Sequence, residues 1–210
     1  MADSAYASLC VDRLHLWRGQ RHVLRGFSFT AAAGDFIHLK GPNGCGKTSL
    51  LRTLAGFLWP EEGDIRWCGA PVSADRDGYA LALAYLGHEN ALKGDLTALE
   101  NLRFACNVRF ATTDEEIRAV LAQLGVAAQA DLPARVLSAG QKRRVAMARV
   151  LLARATLWLL DEPFTNLDTV GVADFARLIA AHTAAGGIAI VTSHSTIELD
   201  SGQVRELVVA

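Results

Sequence analysis

Apolar positions in the first forty residues come in short stretches cut by turn residues. They predict strands over 8–16, 24–30 and 35–40, with turns at Arg18-Gly19 and Ala33-Gly34. From 47 to about 57 the spacing becomes helical. The stretch 97–125 is again helical in pattern, and Asp114-Glu115-Glu116 suits a first helical turn, where the dipole favours negative charge. A further helix is predicted over 139–152 and another near 170–185. Two wholly apolar stretches, 157–160 and 188–191 with Thr192 closing the second, predict buried strands. Alternating strands and helices imply an α/β fold with a mainly parallel sheet. Ligands of such sheets sit beyond the carboxyl ends of the strands.

Composition narrows the class. The 210 residues suffice for a sizeable core, and no repeat, low-complexity segment or Pro/Ser-rich linker divides them. One domain over 1–210 is expected. With 51% hydrophobic and 20% charged residues the chain reads as globular. A net charge of -1 and the lack of a basic run give no general attraction to nucleic acid. The first residues have neither a basic start nor an apolar run, so no secretory signal is expected. The most apolar long stretch, 179–191, contains His182, Thr183 and Gly186-Gly187, and no membrane crossing is expected. Cys10, Cys45, Cys68 and Cys106 are too scattered for a zinc, haem or disulfide framework.

The chemistry begins after the third strand. Gly41-Pro42-Asn43-Gly44-Cys45-Gly46-Lys47-Thr48-Ser49 contains a complete G-x-x-x-x-G-K-[ST] motif, between an apolar strand and a helix. Glycines allow the backbone to approach phosphates, and the loop amides and helix N-terminus face the anion. Lys47 is expected at the β/γ-phosphates of ATP and Thr48 at Mg²⁺. The motif alone does not separate kinases, GTPases and transport ATPases.

Further residues complete the pattern. Asp161-Glu162 ends an apolar strand. Asp161 suits a direct or outer role at Mg²⁺. Glu162 suits a general base for the attacking water. Ser138-Ala139-Gly140-Gln141 opens a helix and is able either to bind phosphate or simply to cap that helix. Two phosphate loops for one phosphate make sense in a head-to-tail dimer, each chain completing the other's site. His194 follows a strand end, where an imidazole senses a γ-phosphate or plays a structural part. Trp17 offers a ring for adenine or for the core.

Taken in order, these motifs resemble the nucleotide-binding domain of ABC transporters over nearly the whole chain. Trp17 stands in the A-loop place, Gly41 to Thr48 in Walker A, and His88 in the Q-loop place. Leu137-Ser138-Ala139-Gly140-Gln141 stands as signature, Asp161-Glu162 closes Walker B, Thr165-Asn166-Leu167-Asp168 is the D-loop, and His194 is the switch histidine. The resemblance implies a P-loop NTPase core with a mainly parallel sheet, an antiparallel N-terminal β region and a helical subdomain at about 88–140. Two departures stand out: Ala139 replaces the commoner glycine, and His88 replaces the Q-loop glutamine, where an imidazole can also bond a water or approach the metal.

The segments YLGHENALKGDLTALENL, LSAGQKRRVAMARV and LWLLDEPFTNLD resemble, more narrowly, the ATPase subunit of cytochrome c maturation, a haem-exporter family. That implies an integral-membrane partner, a place on the cytoplasmic face of a bacterial inner membrane, and indirect service to haem and its periplasmic carrier. An exporter of other cargo is an alternative. A soluble ABC ATPase acting on nucleic acid is another; such proteins usually carry two ATPase cores or a long inserted arm, and neither is found here.

Overall fold

The computed structural model describes residues 7–193 and 204–209. Strands β1 (Ser8–Arg18) and β2 (Arg21–Ala32) form a hairpin, followed by β3 (Phe36–Lys40) and helix α1 (Lys47–Leu54). Then come β4 (Glu62–Trp67), β5 (Ala70–Pro71), α2 (Arg76–Ala82) and β6 (Leu83–Leu86). The helical stretch holds α3 (Ala98–Asn107), α4 (Asp114–Gln123) and α5 (Ala139–Leu152). Next are β7 (Leu157–Asp161), α6 (Thr169–Ala184), β8 (Ile188–Thr192) and β9 (Val204–Val208).

Two sheets result. The antiparallel one runs β2-β1-β4-β5 and the parallel one β6-β7-β8-β3-β9. The apolar runs of β7 and β8 are buried along their whole length because both faces are covered. Strand alternation sorts their side chains into two cores. Leu157, Leu159, Ile188 and Ile190 pack with α1 and the antiparallel sheet. Trp158, Leu160, Ala189 and Val191 pack with the helical layer.

The helical stretch predicted over 97–125 is divided. After α3 the chain leaves the helix and re-enters at Thr113, whose hydroxyl accepts from the Glu116 amide while the Glu116 carboxylate accepts from the Thr113 amide. The same reciprocal cap starts α3 at Thr97 and Glu100. Asp114, Glu115 and Glu116 lie in the first turn of α4, as the charge pattern predicts. Removing the cap in Thr97→Ala is expected to cost about 1 kcal/mol. In a thermal melt that is a fall in Tm of roughly 2–4 °C; an unchanged Tm would show that the reciprocal pair contributes nothing.

Candidate nucleotide site

The carboxyl ends of β3, β7 and β8 point to one edge of the parallel sheet, and the phosphate loop crosses that edge from β3 into α1. Gly46 caps α1 with φ of 117°, in the left-handed region. A Cβ there would meet Val23 Cγ1 at 2.5 Å, so both backbone and space require glycine. Lys47 is nearly buried, and its Nζ donates to the carbonyls of Gly41 (2.7 Å) and Pro42 (3.2 Å). The ammonium is thus held over the loop that the motif builds for phosphate.

Thr48, at the start of α1, donates its hydroxyl to Asp161 Oδ1 at 3.2 Å. Asp161 ends β7 and is 2% exposed. Thr192, at the end of β8, donates to the same Oδ1 at 2.7 Å and accepts from the Glu162 amide at 2.9 Å. Among the described residues, Asp161 Oδ2 is buried with no hydrogen-bond partner. A bare carboxylate oxygen beside a hydroxyl is oxygen-donor chemistry of the kind that hard divalent cations take. Mg²⁺ fits these donors.

Glu162 leaves the strand with φ of 49°. That left-handed conformation costs a non-glycine residue about 1–2 kcal/mol. It turns the chain sharply, so Asp161 stays buried while Glu162 reaches the half-exposed wall of a cleft of about 610 Å³. The loop from Asn43 to Ser49 floors this cleft, His88 stands at its wall, and Arg18 and Arg21 reach in from the β1–β2 hairpin.

The other expected site residues lie elsewhere. Trp17 stacks on His22, with centroids 3.6 Å apart and planes 9° from parallel, and is not among the residues lining the cleft. His15 Nδ1 lies 3.1 Å from His22 Nε2, so the two imidazoles share one hydrogen bond. Partial burial, with His15 and Arg25 near, holds His22 below the usual histidine range. Ser138 caps α5: its hydroxyl accepts from the Gln141 amide, and the Gln141 side chain accepts from the Ser138 amide. Gly140 faces the segment after Glu162 so closely that a Cβ would lie 2.8 Å from the Asn166 carbonyl oxygen. Asp168 caps α6 through the Gly171 amide and takes an ion pair from Arg144 at 2.8 Å. Neither Ser138, Gly140, Gln141 nor Asp168 lines the cleft. His194 lies outside the described residues.

Sequence reading missed two residues that shape this edge. Thr192 is fully buried, and its only signal is a hydroxyl at the end of an apolar strand. Arg143, 1% exposed, sits between Lys142 and Arg144, where residue type alone points to the surface.

Known proteins share this chain's sequence and fold. A family model described as ABC transporter matches residues 24–165. The chain is 51% identical over 179 residues to the cytochrome c biogenesis ATP-binding export protein CcmA of Aromatoleum aromaticum, covering 84% of each chain. It is 45% identical over 207 residues to the protein of the same name from Nitrosococcus oceani, covering 99% of this chain and 95% of that one. Among solved structures, an ATP binding subunit of an ABC transporter superposes with a TM-score of 0.79 at 25% identity, covering 89% of this chain and 79% of that one. With its phosphate loop and paired acids inside the matched region, and curated relatives aligned over most of its length, the chain belongs to the ABC transporter family.

Proposed function

We propose that the chain is the ATP-hydrolysing subunit of a cytochrome c biogenesis export complex, acting as a head-to-tail pair beneath an integral-membrane subunit. The observation that carries the ATPase reading is the convergence of Lys47, Thr48, Asp161 and Glu162 on one cleft. The assignment to cytochrome c biogenesis rests on the relatives that bear that name.

In this reading the loop amides and Lys47 bind the ATP phosphates, and Trp17 serves the adenine end. Thr48 and Asp161 would hold Mg²⁺, with His88 near. When bound, the ion neutralises charge on the phosphates. Glu162 takes a proton from the attacking water and orients it. His194 supports the γ-phosphate. Because Ser138, Gly140, Gln141 and Asp168 lie away from their own chain's cleft, a second chain is the natural source of that half of each site.

The segment 88–110 meets the membrane subunit. An apolar groove of about 850 Å³ opens there beside His88, lined by Phe57, Tyr85, Val108 and Phe110. Phe57 and Val108 are exposed. Among the described residues no helix is long and apolar enough to cross a membrane. The complex sits at the cytoplasmic face of a bacterial inner membrane and serves haem and its periplasmic carrier indirectly.

Affinity purification from detergent-solubilised membranes tests this. An integral-membrane subunit is expected to follow the chain through the column. Co-purifying RNA or DNA in its place would favour a nucleic-acid ATPase and overturn the export reading.

A further inference from the structure

Arg143 has no part in the reading above, yet it is the largest fully buried side chain among the described residues. It projects from α5, which Ser138 caps and whose first turn carries Gln141. Its Nε donates to the Pro163 carbonyl at 3.1 Å. Nη2 donates to the carbonyls of Asp161 at 2.9 Å and Glu162 at 2.7 Å. Nη1 turns the other way, to the Gly87 carbonyl at 2.8 Å, the Asn90 side-chain oxygen at 3.2 Å and, more weakly, the His88 carbonyl at 3.5 Å. These acceptors are all uncharged carbonyl oxygens. One guanidinium therefore ties the turn after β7 to the loop after β6, just beyond Leu86 and Leu160, where the pairing of these neighbouring strands ends.

We infer that Arg143 is a positioning residue that clamps the Glu162 backbone to the His88 loop, so that the placement of the Glu162 carboxylate depends on where that loop lies. The inference rests on the reading of Glu162 as the base.

Three observations support it. Glu162 is held in a left-handed conformation, which persists only where its surroundings enforce it. Arg143 grips its carbonyl while Thr192 grips its amide, so both sides of the residue are fixed. Finally, His88 lines both the nucleotide cleft and the apolar groove, so movement of a partner in the groove reaches the loop that Arg143 holds.

A lysine keeps the charge but lacks the planar fork. The test compares full-length Arg143→Lys, Glu162→Gln and the double variant by ATP affinity and by kcat. Arg143→Lys is expected to bind ATP as the parent does and to lose about 10²-fold in kcat, the cost of a misplaced reacting group. The double variant is expected to be no slower than Glu162→Gln alone, because both changes act through one carboxylate. A merely structural role would make the losses multiply, and that result overturns the inference. So does a parental kcat in Arg143→Lys beside a dead Glu162→Gln. If Glu162→Gln itself turns over normally, the reading of the base has failed first, and the two failures are told apart. Should Arg143→Lys not fold, Asn90→Ala strips one acceptor from the loop side; a several-fold loss of kcat supports the clamp and an unchanged kcat overturns it.

Discussion

Replacing Glu162 by glutamine is expected to leave ATP bound and to slow its hydrolysis by about 10²–10⁴. The substitution keeps shape and removes only the ability to take a proton. The backbone bonds that shape this turn, from Thr192 and Arg143, involve the amide and carbonyl of Glu162 and survive the change. The buried oxygen of Asp161 is also untouched, so the cation donors remain. Nucleotide titration and phosphate release on the same preparation separate the two effects. Turnover at the parental rate would remove Glu162 from the chemistry.

Lys47→Ala is expected to act one step earlier, on binding. A hydrogen bond to a charged partner contributes about 1.5–3 kcal/mol. Its loss weakens ATP affinity by roughly 10–10²-fold. The change also frees the carbonyls of Gly41 and Pro42, which the ammonium now holds, so the loop loses its internal strap. Both effects point the same way. Equilibrium titration with a fluorescent ATP analogue reads the sum, and an unaltered affinity would detach the loop from nucleotide binding.

Much of this site was legible in the sequence because its parts are local. A phosphate loop is one strand end, a turn and one helix start, all within consecutive residues. The helix predicted over 139–152 and the strand over 188–192 match α5 and β8, because their apolar residues are also local: Val145 to Leu152 is apolar except at Arg149, and β8 is apolar up to Thr192. The strand β4 carries no such pattern, since among its residues only Ile65 is buried. Helix α2 passes into β6 with no turn residue between Ala82 and Leu83, so the run reads ambiguously. The break between α3 and α4 was signalled only by Thr113 and Glu116, a cap inside a stretch of otherwise helical spacing. Arg143 and Thr192 stayed hidden for a different reason. What they do is set by partners far away in the chain, and residue type alone does not say whether a charge or a hydroxyl is buried.

The contact of Gly140 with the Asn166 carbonyl, together with the Arg144–Asp168 ion pair, welds the start of α5 to the turn before α6. That corner carries the residues assigned to the other chain's nucleotide. In the proposed head-to-tail pair, a corner held by these contacts has less freedom to lose when a second subunit closes on it. Association costs are dominated by such losses of freedom. Holding this corner in place beforehand therefore lowers the ordering cost of the proposed closure between two chains.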